Sequence, residues 1–178
     1  GPIVNNSQVV FDQVTDGTYS GVMSGTGALT KQNVGTLVLT GENTYSGGTT
    51  VSSGTLSLAG GSPTGTGDVF VASVGTLMGT GTIAGNLSVG GVLKPGNSPG
   101  YLVVSNNVSM NTGSTYQQDI AGLVQASSAT PVGATGYYSL LSVGGQFTIH
   151  SGASLTPRLS NLFTSNESGY GTAIYIPA

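Results

Sequence analysis

The chain has 178 residues, of which 31 are glycine and only 5% are charged. This length suits one domain with a core of its own, and the absence of Cys excludes disulfides, thiolate metal sites and a Cys nucleophile. The net charge is −3, and Lys31, Lys94 and Arg158 are far apart in the sequence, so we predict no basic patch and no nucleic-acid partner. We interpret Gly1 and Pro2 as a protease-cleavage scar, and the chain as a piece of a larger protein.

The chain is built from short apolar-alternating segments, and no sustained helical stripe of apolar residues runs through it. Each segment is only a few residues long and is bounded by Gly, Asn, Ser or Pro, which is typical of strands between turns. The clearest predicted strands, in chain order, cover residues 36–39, 55–58, 69–71, 86–89, 101–104 and 108–110.

A Gly-Thr-Leu triplet recurs at nearly even spacing, beginning at Gly35, Gly54 and Gly75. A period of about 20 residues indicates a solenoid, whereas a propeller blade needs about 40 residues and a leucine-rich repeat needs a motif that is absent here. We therefore predict an all-β fold, a right-handed parallel β-helix with about 20 residues per rung. At that period the chain would hold roughly seven to nine rungs. Asn residues at the corners are expected to stack on one another.

The pattern changes after Gly113. A longer, more polar strand is predicted over 114–120, followed by a loop over 121–136, strands over 137–143, 146–149 and 154–159, a loop over 160–172 and a strand over 173–176. Because the open end of a solenoid invites aggregation, we expect these strands to form a β-hairpin-like cap. The predicted organisation is a scar at 1–2, β-helix rungs over 3–113, and a capping region over 114–178.

Residues 35–58 resemble the passenger-associated transport repeat of type V autotransporters. The matching positions are Gly35, Leu37, Leu39, Gly41, Asn43, Tyr45, Gly47, Gly48, Thr49 and Gly54. Downstream segments resemble the C-terminal part of such passengers, and their motif residues are Pro95, Gly96, Asn97, Ser98, Pro99, Gly100 and Tyr116. The resemblance extends over about residues 35–150.

This resemblance implies a β-helix on the surface of a Gram-negative bacterium, or released from it, after passage through the outer membrane. The implied partner is the protein's own C-terminal outer-membrane β-barrel, which is absent from this chain. Further partners would be a host-surface or matrix ligand, or another copy of the passenger. Residues from about 91 onward resemble the end that folds first and templates the remaining rungs, which is the autochaperone role.

Residues 96–100 match G-x-S-x-G, the nucleophile elbow of many hydrolases, with Asp119 and His150 following in the order of a triad. An elbow needs a backbone N–H from the residue after the serine, and Pro99 has none. The segment after Gly100 is also predicted as a strand, where an elbow needs a helix. We therefore interpret Ser98 as part of a turn.

Other motifs that resemble cofactor or metal sites have simpler structural interpretations. Residues 79–84 match G-x-G-x-x-A but open no predicted helix, so no dinucleotide site is expected. Asp68 follows a single turn with the wrong spacing for calcium, Asp12 and Asp16 are expected in solvated turns, and His150 is expected in a surface turn. No catalytic residue, cofactor or metal is predicted, and the tyrosines are interpreted chiefly as packing residues.

Three functions remain open at this stage. The first is a β-helical stalk and folding seed for an adhesin-type passenger. The second is direct adhesion or self-association through polar Ser, Thr and Asn faces. The third is an enzyme on a β-helix, or a stalk that carries an N-terminal protease or lipase; a surface Asp cluster with a nearby Arg would favour an enzyme.

Overall fold

The chain folds as a parallel β-solenoid. The computed structural model describes residues 1–97, 100–120, 124–125 and 137–159, and the predicted strand at 173–176 and most of the predicted loop at 121–136 lie outside these residues. All regular structure in the described residues is β-strand, because glycine and β-branched residues interrupt every window in which a helix would form. No helix of the described part is long and apolar enough to cross a membrane.

The strands form three faces of the solenoid. Face 1 consists of β2 (Gln8–Asp12), β5 (Ala28–Gln32), β7 (Thr49–Val51), β9 (Val69–Val71), β11 (Leu87–Val89), β14 (Val108–Met110) and β19 (Phe147–Ile149). Face 2 consists of β3 (Gly17–Tyr19), β6 (Thr36–Leu39), β8 (Gly54–Ala59), β10 (Gly75–Ile83), β12 (Val92–Pro95), β15 (Thr115–Ile120) and β20 (Ser154–Leu159). Face 3 consists of β1 (Ile3–Val4), β4 (Met23–Ser24), the second half of β10, β13 (Tyr101–Val104) and β18 (Leu140–Val143).

Successive rungs are paired in parallel register and follow one another about 20 residues apart. On face 1, Val9 pairs with Leu29, Leu29 with Thr49, and Thr49 with Val69. The predicted period and the Gly-Thr-Leu alignment are confirmed, since Gly54 pairs with Gly75 and Thr36 with Thr55. The described solenoid has about six turns, and seven strands stack on face 1. The last step on face 1, from Val108 to Phe147, spans nearly two periods of the repeat.

Inward-facing side chains stack from rung to rung and form the core. On face 2 one column runs through four leucines that are each 1% exposed or less, and Tyr116 continues it: Leu37, Leu56, Leu77, Leu93. Burying a leucine side chain contributes about 1.5–3 kcal/mol, so a column of this kind supplies much of the stability. Strand β10 passes from face 2 to face 3 by bending at Gly79 and Gly81, both of which have positive φ.

A ladder of side-chain amides runs along one corner, as expected from the stacking of asparagines. Asp68 Oδ1 accepts hydrogen bonds from the backbone N–H and Nδ2 of Asn86, and Asn86 Oδ1 accepts in the same way from Asn107. Asn107 Oδ1 accepts from the backbone N–H of Gln146. Each rung therefore satisfies polar groups of the next rung at a corner where the strand pairing is interrupted.

The last described rung mostly continues the parallel pairing. Strand β20 pairs with β15 over six residues, β18 with β13 over four, and β19 with β14 over three. Strand β16 (Val124–Gln125) pairs with β17 (Tyr137–Tyr138), and β17 makes a single antiparallel pair with β15 at Ile120. The expected hairpin-like feature is thus a small antiparallel addition, while the main strands extend the solenoid.

Candidate functional site

Two groups of side chains join neighbouring rungs and form the candidate site: the corner of the transport-repeat motif, and the C-terminal junction. At the corner, Asn43 is 2% exposed and bridges three rungs. Its Oδ1 accepts the backbone N–H of Met23 at 2.7 Å, and its Nδ2 donates to the carbonyl oxygen of Pro63 at 2.6 Å. One amide therefore satisfies a buried backbone group on the rung below and another on the rung above.

Tyr45 fills the interior beside this bridge. It is fully buried, and its hydroxyl lies 2.5 Å from Oγ1 of Thr49, which donates to the carbonyl oxygen of Thr64. Burial raises the pKa of Tyr45 to about 12, because the phenolate would lose its hydration. The interpretation of this tyrosine as a packing residue agrees with its position.

The motif glycines lie where successive rungs approach each other closely. A Cβ at Gly41 or Gly47 would come within 2.2 or 2.5 Å of the backbone of the preceding rung, and one at Gly35 would come within 2.4 Å. Gly54 has a positive φ of 67°, and a Cβ there would lie 2.1 Å from the carbonyl oxygen of Asn33. Gly48 also has a positive φ, so the repeat requires glycine at these corners.

Residues 95–97 end β12 on face 2 and follow it, and Gly100 directly precedes β13 on face 3. Gly96 has a positive φ and exchanges two backbone hydrogen bonds with Gly79, of 2.7 and 3.2 Å. Gly100 donates its N–H to Oγ of the fully buried Ser139 at 3.2 Å, and its carbonyl accepts from Leu140. Pro95 is buried and Asn97 is half-buried, whereas the predictions for Ser98 and Pro99 fall outside the described residues.

The structure brings together charged residues that the sequence had suggested were scattered. Asp119 is almost fully buried; its Oδ2 lies 3.9 Å from Nζ of Lys94, and its Oδ1 lies 3.6 Å from Nη1 of Arg158. We call these three residues the clasp. They lie on β12, β15 and β20, three consecutive strands of face 2. The spacing of these residues in the sequence did not indicate this contact, because a long step between rungs brings Arg158 directly opposite Asp119.

A polar network continues from the clasp into the core. Tyr116 donates its hydroxyl to Oε1 of Gln118 at 2.5 Å, and Nε2 of Gln118 donates to the carbonyl oxygen of Ser139. Ser139 returns its backbone N–H to the carbonyl oxygen of Asp119 at 2.8 Å. Burial raises the pKa of Tyr116 to about 12. The motif residue Tyr116 is thus linked to Gly100 through Gln118 and Ser139, a connection that the sequence did not reveal.

Other residues considered for chemistry are placed in structural roles. Asp16 accepts the backbone N–H of Thr36, and Asp12 accepts from Nδ2 of Asn33, which helps to lower the pKa of Asp12. Lys31 is fully buried, and its Nζ donates to the carbonyl oxygens of Gln32 and Asn33. Burial lowers the pKa of Lys31, while the two carbonyls satisfy its ammonium group at a corner.

His150 lies beside a serine on the outside of face 1. Its Nε2 is 3.0 Å from Oγ of Ser109, which in turn donates its proton to Oδ1 of Asn111 at 3.0 Å. The Ser109 hydroxyl thus has two partners on the outside of the solenoid, the imidazole of His150 and an amide oxygen of Asn111 that can only accept. Among the described residues, no group of three His, Asp or Glu side chains is arranged to hold a metal ion.

Comparisons with known proteins agree with the architecture. Residues 29–58 match the family described as Passenger-associated-transport-repeat. The chain is 38% identical over 117 residues to an Extracellular serine protease of Serratia marcescens, covering 65% of this chain and 10% of that protein. It is 40% identical over 96 residues to the Adhesin BmaC autotransporter of Brucella suis biovar 1 (strain 1330), covering 52% of this chain and 3% of that protein.

The chain therefore spans only a small part of the relatives that it matches. The transport repeat contains the buried amide bridge and the fully buried tyrosine, so the matched segment is also the segment that joins the rungs. Passengers of this kind are carried through the outer membrane of Gram-negative bacteria to the cell surface or beyond it. The chain is a β-helical fragment of a type V autotransporter passenger.

Proposed function

We propose that this fragment is a stalk and a folding seed for an adhesin-type passenger. The observation that carries the proposal is the clasp. The chain has only three basic and six acidic side chains, and three of these charges meet at this junction, where they connect three consecutive strands. In a chain with so few charges, these ion pairs connect three strands at the end that resembles the autochaperone region.

The C-terminal rungs have the connections that a seed requires. Strand β15 is held on one side by β12 and on the other by six registered pairs with β20. The network through Gln118 and Ser139 joins this strand to Gly100, directly before β13. In repeat proteins, folding starts at a stable nucleus and spreads through contacts between neighbouring repeats. Rungs formed first outside the cell would therefore bias passage outward without a nucleotide-driven motor.

Two contacts of residues that resemble a catalytic set favour a mechanical role over a catalytic one. Ser109 is hydrogen-bonded to Asn111 as well as to His150, so its hydroxyl is engaged in a contact between rungs. Asp119 is buried between two cations, where it is engaged in joining strands. The protease activity in the name of one relative would belong to parts of a passenger that this chain does not cover.

The test is made in the full-length parent protein with its own β-barrel. Deletion of residues 91–178 and the single exchange Asp119→Asn are compared by display of an N-terminal epitope on intact cells and by protease resistance of the displayed passenger. Asp12→Asn is the matched control, since Asp12 is an exposed acid on an N-terminal rung. We expect both changes at the C-terminal junction to reduce display and resistance, and the control to leave both unchanged.

A second candidate function is adhesion or self-association. The outward positions of face 1 carry a column that is mostly hydroxyl-bearing, comprising Thr30, Thr50, Ser88, Ser109 and Thr148. A polar face with so little charge can approach another copy without strong repulsion. If the passenger that lacks residues 91–178 is still displayed and protease-resistant while cell aggregation or adhesion is lost, the binding role replaces the seed role.

A further inference from the structure

A groove opens on the outside of face 1, next to the transport-repeat corner. Its volume is about 480 Å³, within the range of small-ligand sites. Gly47 and Gly48 lie at this corner and place no side chain in the opening. The side chains that line it come from three consecutive rungs: Ser46, Thr50, Asp68, Phe70, Asn86 and Ser88.

Phe70 is the unusual member of this group. It pairs with Thr50 on the rung below and with Ser88 on the rung above, so its column otherwise presents hydroxyls on both sides of it. Its side chain is not needed for the core, because the neighbouring Val69 and Val71 face inward and Phe70 is 46% exposed. The ring therefore offers an apolar surface to solvent in the middle of a polar groove.

The polar groups around the ring are both donors and acceptors. Oδ1 of Asp68 accepts both hydrogen bonds from Asn86. Within the described part of the chain, Oδ2 of Asp68 is therefore available to accept a hydrogen bond from a ligand. Thr50 and Ser88 add hydroxyls that can donate or accept. No basic side chain is among the described residues that line the groove, and the chain has a net charge of −3.

This combination matches one class of ligand. A sugar has an apolar face of C–H groups that stacks on an aromatic ring, and hydroxyls that bond to carboxylate, amide and hydroxyl groups. An acidic polysaccharide or a phosphate would meet Asp68 with no cation to compensate. The shallow, hydroxyl-lined walls offer little to a lipid chain.

We propose that this groove binds an uncharged glycan, with Phe70 as the stacking platform and Asp68 as the main acceptor. The site lies on a rung of the transport repeat and on the two rungs that follow it, away from the C-terminal clasp. It is independent of the folding role proposed above, so failure of glycan binding would leave the seed proposal standing.

The purified chain is screened on an array of neutral and anionic oligosaccharides, and the best neutral ligand is titrated by calorimetry. Two variants test the site: Phe70→Thr, which continues the hydroxyl column, and Asp68→Asn. The matched control is Val10→Thr, because Val10 is 45% exposed in the same outward column but two rungs below Thr50. Circular dichroism and the urea midpoint verify that each variant is folded.

We expect millimolar or tighter binding of a neutral oligosaccharide, weakened about tenfold by Phe70→Thr. Loss of the charged acceptor in Asp68→Asn is expected to weaken binding about fivefold. The control is expected to bind like the unchanged chain. The proposal is overturned if no neutral glycan binds, if anionic glycans bind more tightly, if a folded Phe70→Thr variant binds equally well, or if Val10→Thr weakens binding as much.

Discussion

Removing the amide bridge at the transport-repeat corner tests the central argument about stability. In Asn43→Ala, the backbone N–H of Met23 and the carbonyl of Pro63 lose their partner inside the solenoid. Each buried polar group left without a partner costs about 1–3 kcal/mol, so the free energy of unfolding should fall by about 2–6 kcal/mol. The matched control is Asn106→Ala, which removes an exposed bond to the carbonyl of Ala84 and should cost less than about 0.5 kcal/mol.

Urea unfolding followed by far-ultraviolet circular dichroism measures both losses, with the two midpoints compared at a shared slope. A second variant, Asn43→Asp, keeps the acceptor for Met23 but turns an oxygen toward Pro63. Its new carboxyl group should have a raised pKa in the folded state, so stability should recover as the pH falls and the group becomes a donor. The reasoning is refuted if Asn43→Ala loses no more stability than Asn106→Ala.

Three further predictions concern other contacts. The pKa of Tyr45 is raised to about 12, so the folded state keeps this proton above pH 10 while the unfolded chain releases it. The free energy of unfolding should therefore fall by about 1.4 kcal/mol per pH unit between pH 10 and 12. In urea titrations at alkaline pH, Tyr45→Phe should remove this part of the pH dependence. Gly54→Ala should destabilise the chain in two ways, because alanine disfavours the positive φ and its Cβ would clash with the carbonyl oxygen of Asn33. Its thermal midpoint should lie well below that of Gly113→Ala, where φ is also positive but the space around the Cβ is open. Equal midpoints would contradict the close approach at Gly54. Asp119→Asn should destabilise the chain by about 1–2 kcal/mol, because it removes two partly exposed ion pairs that share one buried carboxylate. Arg158→Gln, at a half-exposed position, should cost less than about 1 kcal/mol, and the reverse order in urea unfolding would contradict the assignment of Asp119 as the centre of the clasp.

The solenoid itself was predictable because its repeat is visible in the sequence. The triplets at Gly35, Gly54 and Gly75 specify the register, and the alternation over 36–39, 69–71, 101–104 and 108–110 predicts those strands with their observed bounds. The strands of residues 3–34 were not identified: inward positions such as Val9, Phe11 and Leu29 are apolar, but no Gly-Thr-Leu triplet marks the register of these rungs. In β5 an inward position holds Lys31, whose charge is satisfied by carbonyls that sequence spacing does not reveal.

The C-terminal junction was less predictable for a geometric reason. Lys94, Asp119 and Arg158 are separated by two unequal steps, neither of which matches the period of the repeat. Their proximity depends on where the chain re-enters face 2 at Ser154, opposite Thr115. Phe70 was included in a predicted strand, but nothing in the sequence indicated that it would interrupt a column of hydroxyls at a groove.

The scarcity of charge has a consequence for where this protein works. Outside the cell, ionic strength is set by the surroundings and no ATP-driven chaperone repairs unfolded chains. Exposed ion pairs weaken as salt rises, whereas backbone ladders and stacked leucines are little affected. Both ion pairs of the described residues involve the nearly buried carboxylate of Asp119. The solenoid should therefore be nearly as rigid in dilute water as in brine.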